Sequence, residues 1–207
     1  MTLQDKIQKL KKEKNALILA HNYVRDELQK AADYVGDSLE LSRKAAQTNA
    51  DFIVFCGVKF MAETAKILSP QATVLLPNLN AGCPMADNVE MENLQNFKSK
   101  NPDYKYIAYV NTTAQLKAEI DICCTSANVR KIIDSFDPEQ NILFIPDKNL
   151  GQNALKDTKR KNMKLWNGVC PIHNKITIQM LCDAKKKISG RYDPHPPGGT
   201  SGNNTIC

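Results

Sequence analysis

Seven short apolar runs, each bounded by polar turn residues, constrain the fold more than any other feature of this chain. They are ALILAH (16–21), DFIVFCG (51–57), TVLLP (73–77), YKYIAYVN (104–111), DICCT (121–125), NILFIPD (141–147) and KLWNGV (164–169). Their apolar character is continuous rather than alternating, which suits parallel strands covered on both faces. Helical patterns separate them. Thr2 is placed to cap a first helix with Leu3, Ile7 and Leu10 on one face. Val129, Ile132, Ile133 and Phe136 follow the i, i+3, i+4, i+7 spacing behind the capping candidates Thr125 and Ser126. Such alternation predicts βαβ units in an α/β layered architecture.

The pattern also repeats. LILAHN, FIVFCG, TVLLPN and GC take 61 positions from Asn22 to Cys83; IAYVN, ICCTS, ILFIPD and NGVC take 59 from Asn111 to Cys170. This spacing predicts two related α/β units of roughly 85 residues, each closing on one cysteine. In open parallel sheets, ligands bind outside the carboxyl ends of the strands, where loops converge and helix N-termini offer free N–H groups. His21, Cys56, Tyr109, Asn111, Ser126, Asp147 and Cys170 fall at those ends or just beyond. Two units facing each other would bring Cys83 and Cys170 toward one cleft.

Composition narrows the partners. With 207 residues, 42% hydrophobic and 24% charged, the chain can bury a core without disulfide staples. Seven cysteines, an odd and irregularly spaced set, favour a reducing compartment. No run reaches the roughly 20 apolar residues of a membrane span, and the N-terminus lacks an apolar signal core. The expected setting is therefore cytoplasmic, without a membrane partner. The formal charge of +6 comes largely from KIQKLKKEK, KDTKRKNMK and DAKKK, which read as solvated helix faces without interleaved aromatics. That argues against nucleic acid and is compatible with a phosphate-bearing small substrate.

Several candidate site residues have a packing reading too. His21, Tyr23 and Tyr109 can serve as core or packing residues, and Cys56, Cys123 and Cys124 lie inside strand patterns where cysteine acts as a small hydrophobe. Cys182 follows Ile178 and Leu181 at helical spacing and reads as core. Cys83 and Cys170 differ, since both sit in glycine-containing loops after strands, where a backbone can approach a bulky cofactor. Soft thiolates there suit zinc or an iron–sulfur cluster. A nucleophilic cysteine with His21 or His173 as base competes with that reading, and paired C-x2-C zinc spacing is absent. On the residues alone the choice stays open.

The strings LAHNYVRDELQKAADYVGDSLELSRKA, DFIVFCGVKFMAETAKILSP, LPNLNAGCPMAD, YVNTTAQLKAEIDICCTSANV, FIPDKNLG and LWNGVCPIHNK closely resemble the quinolinate synthase (NadA) family of NAD, or pyridine nucleotide, biosynthesis. The likeness runs from about residue 3 to about residue 187. It implies pseudo-symmetric three-layer αβα domains with short parallel sheets, three in the family. Here two are complete (1–87 and 88–174) and a third incomplete (175–207). It implies a transferase that condenses iminosuccinate (iminoaspartate) with dihydroxyacetone phosphate to quinolinate, with an L-aspartate oxidase as supplier of iminosuccinate. Each domain would give one cysteine to a [4Fe-4S] cluster acting as Lewis acid, making Cys83 and Cys170 the first two metal ligands. His21, Tyr23 and Tyr109 take catalytic places. His21, Ser38, Tyr109, Val110, Asn111 and Ser126 take substrate-binding places, joined by position by His195 and Thr200.

After CDAKKK the likeness fails. Pro197 stands where a His-Pro-Glu motif would have its glutamate, and GGTSG (198–202) arrives early for a Gly-Ser-Thr loop. The 37 residues after Cys170 cannot complete a third unit, and their Pro, Gly, Asn and Ser content does not favour a packed core. The tail reads as a truncation or altered frame, with Cys207 as the substitute candidate for the missing third ligand. A non-catalytic remnant that holds a dicarboxylate through His21, Ser38, Tyr109, Asn111 and Ser126 without a stable cluster is the alternative. A zinc- or thiol-dependent enzyme using Cys83 and Cys170 alone is a third.

Overall fold

A computed structural model describes residues 1–158 and 160–188. The chain divides into two compact units, residues 1–169 and residues from 170 onward.

The first unit opens with α1 (Leu3–Glu13). The Thr2 hydroxyl accepts the Asp5 N–H at 3.2 Å and the Asp5 carboxylate accepts the Thr2 N–H at 2.7 Å, which satisfies two donors of the first turn. Of the apolar face expected from sequence, only Ile7 packs on the sheet, against the cluster of Ile18, Ala20 and Cys56, while Leu3 and Leu10 are exposed. The helix thus meets its sheet along a strip narrower than a full amphipathic face.

Then follow β1 (Ala16–His21), α2 (Asp26–Ala31), β2 (Tyr34–Gly36), α3 (Ser38–Gln47), β3 (Phe52–Cys56), α4 (Lys59–Leu68) and β4 (Thr73–Leu75). The four strands pair in parallel in the order β2-β1-β3-β4. Leu19, Ile53 and Phe55 of the strands pack against Leu41 and Ala45 of α3 and Phe60, Met61 and Ala65 of α4.

A second set repeats the arrangement: α5 (Met91–Lys100), β5 (Lys105–Tyr109), α6 (Ala114–Lys117), β6 (Ile122–Cys124), α7 (Val129–Asp134), β7 (Ile142–Ile145), α8 (Lys148–Thr158) and β8 (Met163–Leu165). Its parallel order is β6-β5-β7-β8, the same topology as the first sheet. Ile107, Ile142 and Phe144 form the core with Val129, Ile133 and Ala154. The fold is therefore α/β, with two four-stranded parallel sheets flanked by helices.

The repeat extends to single atoms. Asp33, just before β2, accepts the Ile18 N–H of β1 at 2.8 Å and pairs with Lys11 at 2.6 Å. Asp121, just before β6, accepts the Tyr106 N–H of β5 at 2.8 Å and pairs with Lys105 at 3.0 Å. In both halves a carboxylate satisfies a strand donor that the short neighbouring strand begins too late to reach.

Two sequence expectations need correction here. The α7 N-cap is Asn128 rather than Thr125 or Ser126, because residues 125–128 form a turn in which the Asn128 side-chain oxygen accepts the Thr125 N–H at 2.6 Å. β2 had no counterpart among the apolar runs: three residues, with Tyr34 and Val35 each 43% exposed, leave no apolar signature.

In the second unit, a 3-10 turn (His173–Lys175) leads into α9 (Ile178–Ile188). No residue of α9 is fully buried; Ile178, Met180 and Leu181 are exposed and Cys182 is half-buried, so the core reading of Cys182 does not hold in this unit. No helix among the described residues is long and apolar enough to cross a membrane.

Candidate functional site at the strand ends

The strand orders place a topological switch between β1 and β3 and another between β5 and β7. There, successive crossovers leave in opposite directions and open a crevice outside the carboxyl ends. His21 ends β1. It is half-buried, and its Nδ1 accepts the Tyr23 N–H at 3.3 Å, which leaves Nε2 to carry the proton of the neutral ring. Burial pushes the His21 pKa down, with Asp37 partly opposing the shift. The Tyr23 ring packs edge-on against the imidazole, centroids 4.7 Å apart, yet Tyr23 is 90% exposed. Ser38, half-buried, opens α3 behind Asp37, whose carboxylate caps that helix by accepting the Leu39 and Glu40 N–H groups at 2.8 and 2.9 Å.

Tyr109 ends β5. Burial first, then the negative charge of Asp147 and the nearby acidic groups of Cys124, Tyr23 and Cys83 as they ionise, push its phenol up to about 12. Tyr23 and Cys83 belong to the first half and Asp147 and Cys124 to the second, so the strand ends of both sheets lie within electrostatic reach of one hydroxyl. Asp147 is itself committed to structure: its Oδ1 accepts the Asn149 and Leu150 N–H groups at the start of α8.

The Val110 N–H is engaged with the Cys124 carbonyl at 2.8 Å, and the Val110 carbonyl accepts the Thr112 N–H at 2.8 Å. Val110 therefore offers its side chain, not its donor, to the site. Asn111 differs: its Oδ1 is buried with no hydrogen-bond partner, as is Oγ1 of the fully buried Thr112. Buried polar atoms are nearly always paired, so an orphan beside a strand end marks a position awaiting a ligand or water. Ser126 lies exposed in the 125–128 turn.

Cys83 is a half-buried free thiol ahead of a 3-10 turn (Ala86–Asn88). Its N–H donates to Asp87 Oδ2 at 3.2 Å and its carbonyl accepts the Asp87 N–H at 2.9 Å. In the second unit, Cys170 is likewise a half-buried free thiol, and its carbonyl accepts the Asn174 N–H at 2.9 Å. Both cysteines precede a proline and close the same local turn. Cys56 and Cys124 are buried and Cys123 is half-buried; burial raises all three thiols, which keeps them protonated. Among the described residues no three His, Cys, Asp or Glu side chains gather as a metal-binding group. His195, Thr200 and Cys207 lie outside the described residues.

Two open hollows lie elsewhere. One, of about 560 Å³, is formed by Asp103, Tyr104, Asp137 and Glu139 near the amino ends of β5 and β7; the other, of about 490 Å³, lies beside Phe97 and Trp166. Sequence reasoning missed two charged residues behind the strand-end loop, Glu63 of α4 and Lys117 of α6. Nothing in the sequence links positions so far apart.

Fold and site together define a duplicated parallel α/β protein that carries imidazole, phenol, amide and hydroxyl groups at or just beyond its strand carboxyl ends, groups suited to a small oxygen-rich ligand. A family model described as "Quinolinate synthetase A protein" (NadA) matches residues 5–192. The chain belongs to that family. It is 54% identical over 181 residues to a quinolinate synthase of Desulforudis audaxviator (strain MP104C), covering 87% of this chain and 59% of the relative. It is 49% identical over 199 residues to one of Aquifex aeolicus (strain VF5), covering 94% and 62%. A quinolinate synthase of Geobacter sp. (strain M21) is 52% identical over 185 residues, covering 89% and 60%. The chain thus spans about three fifths of the length of these curated relatives.

Proposed function

We propose that this chain is a quinolinate synthase-type protein of NAD biosynthesis. It would bind iminosuccinate and dihydroxyacetone phosphate and condense them to quinolinate, working in the cytoplasm downstream of an L-aspartate oxidase. The observation that carries this reading, beside family membership, is the convergence of strand ends on Tyr109 with the orphaned Asn111 oxygen next to it.

The residue chemistry suits that substrate pair. A phenol that keeps its proton up to about pH 12 acts at neutral pH as a hydrogen-bond donor. The Asn111 amide, free of protein partners at Oδ1, can turn its NH2 toward a carboxylate oxygen. Ser38 and Ser126 add hydroxyl donors. His21, neutral with its proton on Nε2, can donate a hydrogen bond from that atom to a substrate oxygen. Tyr23, exposed beside the imidazole, is the group best placed to exchange protons with solvent.

Cys83 and Cys170 fit a cluster's donor chemistry as two of its ligands: both are half-buried free thiols in matching Cys-Pro turns. In this reading domains span 1–87 and 88–174, residues 175–207 belong to a third, and Cys207 is a candidate for the third ligand. A bound [4Fe-4S] cluster supplies a Lewis-acidic iron that polarises a substrate oxygen.

Anaerobic expression with iron and sulfide quantification tests this. About four of each per chain, lost in Cys83→Ala and in Cys170→Ala, is expected. The carboxylate-binding residues Ser38, Tyr109, Asn111 and Ser126 all lie within residues 1–169, which favours a second reading, a dicarboxylate-binding module without a stable cluster. Retained maleate binding with no cluster decides for it, and stoichiometric zinc without sulfide decides for a zinc protein.

A further inference from the structure

The loop from Val110 to Thr113 carries Asn111, and two half-buried charged groups, Lys117 and Glu63, hold it. Lys117, at the end of α6, folds its side chain back so that its ammonium donates to the Thr112 carbonyl and lies 5.5 Å from the centre of the Phe60 ring. Glu63, one helical turn after Phe60 on α4, accepts the Ala114 N–H at 2.8 Å, across 51 residues of sequence. α4 belongs to the first sheet and α6 to the second, so the Glu63–Ala114 bond and the approach of Lys117 to Phe60 tie the loop to the opposite half of the unit, while the Lys117–Thr112 bond is local.

The rest of the loop's bonding is local. Thr113 caps α6 by accepting the Leu116 N–H at 3.2 Å, and Val110 is pinned to Cys124. Two side-chain oxygens of the loop are left without a partner, Asn111 Oδ1 and Oγ1 of the fully buried Thr112.

We propose that Lys117 and Glu63 are positioning residues for the carboxylate-binding loop. The Lys117 ammonium fixes the Thr112 carbonyl and the Glu63 carboxylate fixes the Ala114 N–H, so that Asn111 is held toward the strand-end pocket before ligand arrives. The proposal rests on the dicarboxylate reading of that pocket. Two apolar side chains would cover the α4–α6 contact without the desolvation cost of two half-buried charges, but could not grip the Thr112 carbonyl or the Ala114 N–H. Here both grip backbone atoms that flank Asn111. Burial lowers the Lys117 pKa, with Cys123 and Glu63 partly opposing the shift. A group pre-set in its bound position also spares the ligand the entropy of ordering it.

Calorimetric titration of the full chain with maleate, an unreactive cis dicarboxylate, reads this. Lys117→Met keeps the aliphatic stem and removes the ammonium; affinity falls about 10-fold, the effect of losing one charge-assisted hydrogen bond. Glu63→Ala gives a similar loss, and Glu63→Gln restores most of it because the amide oxygen still accepts the Ala114 N–H. In an Asn111→Ala background the Lys117→Met loss vanishes, since it acts through Asn111.

Amide hydrogen exchange of the free protein at Val110–Leu116 speeds up in Lys117→Met and Glu63→Ala. Maleate affinity within about twofold of the parent in Lys117→Met, or an equal loss with and without Asn111, overturns the proposal. If the parent chain binds no maleate, the functional reading fails on its own account. The clamp is then decided by exchange: faster exchange at Val110–Leu116 upholds it, and unchanged exchange refutes it.

Discussion

Replacing Gly168 with alanine tests whether the turn that ends the second sheet is packed as tightly as the structure shows. Gly168 is buried, bridges in parallel register to Asp147, and its carbonyl accepts the Lys148 N–H at 2.7 Å. A Cβ at this position would stand 2.4 Å from the carbonyl oxygen of Pro146. That oxygen is backbone, so no rotamer relieves the contact and one of the two chain segments must move by roughly 1 Å to reach ordinary packing. Overpacking of this kind costs about 1–3 kcal/mol, and a backbone-on-backbone clash belongs at the upper end, about 3 kcal/mol. With a urea m-value of about 2 kcal/mol/M, the unfolding midpoint falls by about 1.5 M at unchanged m. Gly36→Ala is the internal control. Its new Cβ meets Oε2 of the flexible Glu40 side chain at 2.7 Å, which can swing away at the loss of its bond to the Asp37 N–H, a cost of about 1 kcal/mol. Because Asp147 follows Pro146 and raises the Tyr109 phenol, the displaced backbone in Gly168→Ala also shifts the Tyr109 titration. A Gly168→Ala cost within about 0.5 kcal/mol of parent, or no larger than that of Gly36→Ala, refutes the reasoning.

Other consequences follow from the same geometry. Tyr109, raised from 10.0 to about 12 by burial and its acidic neighbours, keeps its proton where the unfolded phenol has lost it. Its contribution to stability is complete below pH 10 and disappears as pH rises toward about 12. Spectroscopic titration of phenolate absorbance shows one tyrosine ionising last, missing in Tyr109→Phe and shifted down in Asp147→Asn. His21 has the opposite sense: its pKa lies below 6.5 because burial disfavours the imidazolium, so its contribution is present above 6.5 and is lost as pH falls through the folded pKa. Asp37→Asn, which retains a capping side chain, lowers the His21 pKa further, as read from its imidazole proton shifts in NMR. Asp33→Ala and Asp121→Ala each orphan a strand N–H, of Ile18 and Tyr106 respectively. Each loses about 1–3 kcal/mol in urea unfolding, and a loss in one half without the other contradicts equivalent roles in the two sheets.

The sequence by itself determined the parallel α/β class, seven of the eight strands, the two-fold repeat, and the separate standing of Cys83 and Cys170. Apart from the repeat, whose two copies take 61 and 59 positions, these are local properties: an apolar run covered on both faces, a helical spacing or a Cys-Pro turn can be read within about ten residues. Family resemblance named the strand-end residues, and their positions at the ends of β1 and β5 agree with the spacing argument. Only the tertiary structure showed β2, whose three residues pair with β1 through backbone bonds and carry no apolar pattern. It also moved the α7 cap to Asn128 and left Leu3, Leu10 and α9 outside the core, because burial depends on what packs over a face and not on the face alone. The site follows the same division. His21, Tyr109 and Asn111 stand at strand ends that the apolar runs announce. Glu63 reaches the Asn111 loop across 51 residues and Lys117 meets Phe60 over the same contact between α4 and α6, and periodicity, which reports one element at a time, carries no information about which helices meet.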